Sequence, residues 1–287
     1  MQKLSNAVIE KMIVAKLTSK EIDFMLYISR FQDDDGHISG VHYKEVCDNA
    51  EMSYQGFYDV KQSLIDKNFI VCDKSNRIDH DITILNNSFR GEEDFKAGYV
   101  KTNHNIFYTQ EFRCLKAGAK LLAMWIMIAS YSGVGEWRIG TAKFYDKYTK
   151  IFGVTKRVMR SYLMQLKEFF SIGIKEGIYY IRPKNVIYKK PGQKTENEDY
   201  AEHEVDVTCR RNRIKVLSEK DKKDVCELAT RQYKRVAQVY NLDIIGLLKE
   251  AIVISLDRLN MNNPKHSIRV LKPKMVHKIL RNELLPI

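Results

Sequence analysis

The sequence predicts a mainly α fold with small β-hairpins, in which one architectural unit occurs twice and a helical module follows. Three observations predict it. Apolar residues recur at helical spacing through most of the chain and give way only to short β-branched runs. The segments run in the order helix, short strand, helix, helix, hairpin. The same order returns at an offset of 102 residues, which sets Ser53, Phe57, Leu64 and Ile70 against Thr155, Met159, Leu166 and Ile172. This is the order of a winged helix-turn-helix, so the expectation is two tandem winged helix-turn-helix domains plus a C-terminal helical module.

The first domain is expected over 1–88. "LTSKEIDFMLYISRF" reads as a helix whose start carries a capping box, Thr18 with Glu21, ahead of apolar Ile22, Met25 and Leu26. "DDDGHISG" breaks it and allows a short strand at Ile38. A short helix fits "HYKEVCDNA", and Ser53 is a good N-cap for a third in "SYQGFYDVKQSLIDKN". "FIVCDKSNRIDHDITIL" closes the unit as two β-branched runs around a turn.

After a connection over 86–100, the second domain is expected over 98–190. It comprises the long helix "AGAKLLAMWIMIASYSG", the strand "WRIG", the helices "TAKFYDKYTKIF" and "TKRVMRSYLMQLKEFF", and the hairpin "IGIKEGIYYI" with Gly177 at its turn. Residues 191–217 are polar and turn-rich at first, then basic, and read as an exposed linker. The helical module follows over 218–287. Ser218 with Asp221 caps "EKDKKDVCELATRQYKRVAQVY", Asn241 caps "LDIIGLLKEAIVISLDRL", and Pro273 sits in the first turn of a last helix.

Lys and Arg number 48 against 36 Asp and Glu, a net charge of +12, which favours a polyanionic partner, nucleic acid or an anionic membrane surface. The N-terminal residues lack the apolar core of a signal peptide, and "LLAMWIMIA" falls short of the ~20 residues that span a bilayer. The expectation is a soluble cytoplasmic protein with no membrane partner. Five scattered cysteines without a C-x-x-C pair fit reduced thiols and no metal site. Neither G-x-x-x-x-G-K-[ST] nor G-x-G-x-x-G occurs, so no cofactor is expected. "DDDG" fails as a calcium loop because Phe31 would take the first ligand position, and "DHD" at 79–81 would place His80 on the strand face opposite its neighbours. No nucleophilic triad assembles, and enzymatic activity is not expected.

The candidate DNA-binding residues follow from the two third helices. In 155–170, Met159, Tyr162, Leu163, Leu166, Phe169 and Phe170 gather on one side, with Arg157 and Ser161 opposite, Arg160 and Gln165 at the flanks and Lys156 at the amino end. The amino-terminal residues of such a helix meet base edges, and Arg157 and Arg160 suit guanine O6 and N7. In the first unit Gln55, Tyr58, Asp59 and Gln62 face outward. Gln55 and Gln62 suit adenine, but this face is less basic and equally fits a protein partner or water. Lys74 and Arg77 on the first hairpin, Lys175 on the second, and Lys189 and Lys190 after it are candidates for phosphate contacts. Arg210, Arg211 and Arg213 in "CRRNRIK" form either a flexible arm along DNA or an ordinary basic surface.

"KLSNAVIEKMIVAKLTSKEIDFMLYISRF" resembles the opening of plasmid replication initiators built from two winged-helix domains, through Ser5, Asn6, Leu17, Thr18 and Glu21. "FYTQEFRCLKAGAKLLAMWIM" is similarly placed to the opening of that family's second domain. The resemblance covers roughly 1–190 and implies binding to repeated origin sequences, a second domain supplying the stronger base contacts, and exchange between dimer and monomer. "LLKEAIVISLDRLN" and "KMVHKILRNEL" are faintly similar to the helical module of DnaD-type replication organisers. Glu283, Leu284 and Leu285 replace the aromatic residue expected there, and the DNA-remodelling role is not carried over.

The functional expectation is a sequence-specific protein for double-stranded DNA, a replication initiator of a plasmid or mobile element, with a homodimer and replication proteins as further partners. A transcription regulator and a segregation or partition adaptor share this chemistry. From a different class, the tandem units would be a protein-interaction scaffold.

Overall fold

The structure is a computed structural model, and it describes residues 2–73, 79–91, 95, 98–132, 135–188, 192–262 and 269–286. The chain is mainly helical with small antiparallel sheets. It divides into two units, Met1–Gln193 and Lys194–Ile287.

The first unit opens with β1 (Lys3–Ser5), α1 (Asn6–Val14) and α2 (Ser19–Ile28). Ser5 and Thr18 are the N-caps, and the capping box forms: Thr18 Oγ1 accepts from the Glu21 backbone while the Glu21 carboxylate accepts from Thr18 N at 2.6 Å. Then come β2 (His37–Val41), α3 (Tyr43–Ala50), α4 (Tyr54–Asp66), β3 (Ile70–Asp73) and β4 (His80–Ile84). Asp33 makes the turn into β2, its Oδ1 accepting from Asp35 N and His37 N. The antiparallel sheet has the order β2-β4-β3, and its alternation sends Ile38, Ile70, Ile82 and Ile84 into the core.

The second half of this unit holds β5 (Tyr99–Lys101), α5 (Gln110–Arg113), α6 (Ala117–Ser132), β6 (Trp137–Gly140), α7 (Thr141–Phe152), α8 (Lys156–Gln165), β7 (Phe170–Lys175) and β8 (Ile178–Pro183). Its sheet has the order β6-β8-β7, the same as the first. The 102-residue offset holds in detail. Ser53 and Thr155 are both N-caps, Glu51 and Gly153 both end the preceding helix in the left-handed conformation, and the paired residues Phe57 and Met159, then Leu64 and Leu166, are fully buried.

The two halves share one core, in which Ile9, Met12, Phe24, Leu122 and Phe144 all belong to a continuous apolar cluster. α1 packs against α6 and α7. Lys120 on α6 reaches Asp23 on α2 at 2.5 Å, with the lysine side chain 0% and the aspartate 9% exposed. Burial works against both charges, raising the Asp23 carboxyl and lowering the Lys120 ammonium despite their attraction. β1 pairs antiparallel with β5, Leu4 opposite Val100, and so belongs to both halves. The boundaries 1–88 and 98–190 therefore mark architectural repeats of one body. Three residues carry no periodicity, so this pairing leaves no trace in the sequence.

In the second unit the expected linker is a helix. α9 (Glu196–Arg211) starts at a capping box of Thr195 and Glu198 and buries Ala201, Val205 and Cys209. Their spacing of four makes a narrow apolar stripe, masked in the sequence by the acidic residues around it. α10 (Glu219–Glu227) is capped by Ser218 as expected. The single long helix expected after it breaks through a π turn, Leu228–Gln232, before α11 (Lys234–Val239), and at the break Tyr233 is buried with its hydroxyl 2.8 Å from His277 Nε2. α12 (Ile244–Asn262) takes its cap from Asp243, whose Oδ1 accepts from Gly246 N at 3.0 Å, and Asn241 instead adopts a left-handed turn conformation. α13 (Pro273–Ile279) has Pro273 in its first turn. Leu248, Ala251, Ile252, Val276, Ile279 and Leu280 complete this second core.

Three outcomes test this architecture. Replacing Lys120 by Met strands the Asp23 carboxylate in the core and should cost about 3–5 kcal/mol in denaturant unfolding, whereas the double replacement Asp23→Leu with Lys120→Met should recover most of the loss. For Glu21, burial alone would raise the carboxyl, but bonds from Lys67 and Ser63, each 2.6 Å, and from Thr18 hold it below its ordinary 4.5. A depressed acid stabilises the fold above that value and loses its effect as pH falls through the folded-state value, so the stability gap between the native chain and Glu21→Gln should narrow on acidification. Burial pushes the Cys209 and Cys226 thiols up to about 12, while Cys114 is exposed. Ellman's reagent should therefore label Cys114 quickly and Cys209 only on unfolding; rapid labelling of Cys209 would return 191–217 to an exposed linker.

Candidate nucleic-acid interface

α7 ends where Gly153 takes φ +60°, with the backbone N–H groups of Gly153 and Val154 returned to Lys150 and Thr149. Two residues later Thr155 Oγ1 accepts from Val158 N and α8 begins. A Cβ at Gly153 would stand 3.4 Å from Lys16 Nζ, so this lysine, at the end of α1, lies over the turn. Met159 and Leu163 anchor α8 in the core and fix which residues remain outside.

Lys156, Arg157, Arg160 and Ser161 are exposed as the sequence predicts, and neither guanidinium has an ion-pair partner among the described residues. Gln165 is half-buried and donates to Ser161 Oγ at 3.3 Å, so these two side chains occupy each other. Behind Arg160, the hydroxyls of Tyr145 and Tyr179 lie 2.9 Å apart. Burial and then the Tyr145 bond push the Tyr179 phenol up to about 12, against the pull of the Arg160 charge, and the hydroxyl pair anchors α7 to β8.

The β7–β8 hairpin turns at Glu176 and Gly177, both left-handed, as in a two-residue hairpin turn. Gly177 O accepts from Thr141 N at 2.8 Å, which ties the hairpin tip to the start of α7 and holds exposed Lys175 beside it. Arg182 and Arg138 share Glu136, and Lys184 donates to Lys167 O, so these cations are already engaged. Lys189 and Lys190 lie outside the described residues, as do Lys74 and Arg77 on the first hairpin.

Sequence reasoning missed a second row of cations. Lys143, Lys147 and Lys150 are exposed and follow one face of α7 at the spacing i, i+4, i+7, a signal visible in the sequence once the helix is placed. Residues 141–165 thus carry six cations (Lys143, Lys147, Lys150, Lys156, Arg157 and Arg160) against the single carboxylate Asp146.

The counterpart on α3 and α4 has the opposite character. At the same offset, Glu45 and Asp48 stand where α7 has Lys147 and Lys150, and Gln55 stands where α8 has Arg157. Gln55 donates to Asp59 at 2.7 Å and Gln62 to Asp66 at 2.8 Å, so both amides expected to read adenine are committed to carboxylates. Tyr58 is half-buried, and the hydrogen bond it shares with the Tyr54 hydroxyl, then burial, pushes its phenol up to about 12. Tyr43, Tyr54 and Tyr58 pack edge to face with centroids 5.0 and 4.9 Å apart, an aromatic ridge on an acidic surface.

Arg210 and Arg211 form the last turn of α9, where cations favour the negative helix end, and Arg213 follows in a left-handed turn. They belong to a folded helix end, and the flexible-arm alternative falls away. Among the described residues no cluster of His, Cys, Asp or Glu could hold a metal, and no helix is long and apolar enough to cross a membrane. No protein family, curated protein or solved structure matches the chain.

Proposed function

We propose that the chain is a sequence-specific binder of double-stranded DNA and that the second half of its first unit, read as a winged helix-turn-helix, makes the principal contacts. The observation that carries this reading is the pairing of two rows of exposed cations on adjacent helices: Lys143, Lys147 and Lys150 on α7, and Lys156, Arg157 and Arg160 on α8. In a helix-turn-helix the first helix crosses the phosphate backbone and the second enters the major groove by its amino end. The α7 lysines then bind phosphates, α8 presents Arg157 and Arg160 to base edges, and Lys175 meets the backbone from the hairpin as a wing. The initiator-like residues Ser5, Asn6, Leu17, Thr18 and Glu21 favour replication initiation for a plasmid or mobile element over transcription control or segregation.

A second reading is favoured for the first half alone. Its carboxylates and aromatic ridge suit a protein partner, a replication protein or a second copy of the chain, and repel phosphate.

Fluorescence anisotropy with a footprinted native site and a scrambled duplex tests the assignment. Arg157→Ala and Arg160→Ala should each reduce discrimination between the two by about 1–3 kcal/mol. Lys147→Gln with Lys150→Gln should weaken both duplexes alike and flatten the slope of log affinity against log salt by about 0.9 for each phosphate no longer neutralised. Unchanged sequence preference in both arginine variants at constant salt sinks the proposal.

A further inference from the structure

Within the first unit, β5, the end of α6 and the segment after β8 line a partly open cavity of about 700 Å³. Its walls are apolar and aromatic, with Tyr99, Val100, Met127, Ile128 and Tyr188 prominent. This volume lies in the range of small-molecule sites, roughly 300–1,000 Å³. Two buried side-chain atoms without a partner belong to the described lining residues. Ser130 is only 1% exposed, and its Oγ has no hydrogen-bond partner among the described residues. His104 Nδ1 is likewise buried and unpartnered among them, its ring set edge-on to Tyr188 with centroids 5.5 Å apart.

A buried polar atom left without a partner costs about 1–3 kcal/mol, so a ligand group that reached Ser130 Oγ or His104 Nδ1 would recover that cost. Burial, reinforced by the nearby Lys101 charge, pushes the His104 imidazole down to about 4, so it is neutral at ordinary pH and offers a nitrogen and no charge. Among the described lining residues, Lys101, exposed on β5, is the one lysine or arginine, and it puts a cation at the edge of the cavity. Water would satisfy two polar atoms but would gain nothing from the aromatic walls.

We propose that this cavity is a binding site for an organic monoanion with an aromatic or aliphatic body, the body held by the tyrosines and Met127, the anionic head at Lys101, and a polar substituent at Ser130 and His104. The site does not depend on DNA binding. It lies against β5, whose other edge holds the N-terminal strand, so occupancy stabilises the clasp between the two halves.

The test titrates the full chain with 8-anilinonaphthalene-1-sulfonate, an aromatic monoanion, and follows its fluorescence. Saturable binding is expected, weakened about tenfold in Lys101→Gln, where one charge-assisted hydrogen bond is removed. N-phenyl-1-naphthylamine, nearly the same rings without the sulfonate, is expected to bind about tenfold less tightly. Ser130→Leu, which fills the cavity, should abolish binding. Because that variant risks unfolding, the His104 ring resonances of the unaltered chain provide a second measurement, and they should shift on addition of the sulfonate while those of His37 stay in place. Affinity unchanged in Lys101→Gln, equal affinity for the neutral probe, or His104 resonances that do not move would each overturn the proposal.

Discussion

The arrangement of the first unit depends on the N-terminal strand being held from both sides. On one side β1 pairs with β5. On the other, fully buried Asn87 accepts from Ser5 N at 2.8 Å and donates to Lys3 O and to Gln32 Oε1, while Gln32 donates back to Lys3 O. Three residues thus join the end of the first repeat to the start of the second. Ser5 is at once the last residue of the strand, the cap of α1 and a partner of Asn86. A small side chain, an N-cap oxygen and a backbone N–H meet compactly in serine, a physical reason for Ser-Asn at this point. With the strand in place, α1 lies across α6 and α7, and the apolar cluster runs without a seam from one repeat into the other.

On this common scaffold the repeats have diverged in charge and kept their geometry. Caps, left-handed helix ends, buried positions and sheet order coincide, yet the outward residues exchange glutamate and aspartate for lysine, and glutamine for arginine. Backbone geometry responds to caps and to the apolar stripe, and exposed side chains are free to vary without cost to the fold. One scaffold therefore carries two faces of opposite charge on a single continuous body.

Much of this was legible because it is local. Thr18, Ser53, Thr155 and Ser218 act within three residues of themselves, and a capping oxygen followed by an amphipathic stretch is a complete signal. Features that depend on distant partners were hidden. β1 acquires its meaning from residues about a hundred positions away, and α9 looks polar until its stripe of Ala201, Val205 and Cys209 meets Leu248 and Ile252. At the candidate site, the outward direction of Arg157 and Arg160 followed from helical period. The commitment of Gln55 and Gln62 to neighbouring carboxylates did not, although both partners sit four residues on, because an outward amide at that spacing can equally bond its neighbour or stay open to solvent. The α7 lysines do not stand out in the sequence, because the spacing i, i+4, i+7 is equally that of an ordinary solvated helix face.

The buried Asp23–Lys120 pair has a further consequence in the order of synthesis. Asp23 leaves the ribosome 97 residues before Lys120. At about 5–20 residues per second the delay is roughly 5–20 s, longer than many small domains need to fold. Throughout that interval a bare carboxylate stands on the face of α2 that will later be sealed, and water is its best partner. That face of α2 therefore resists burial until Lys120 is made, and the ammonium that ends the wait comes from the chain's own second repeat.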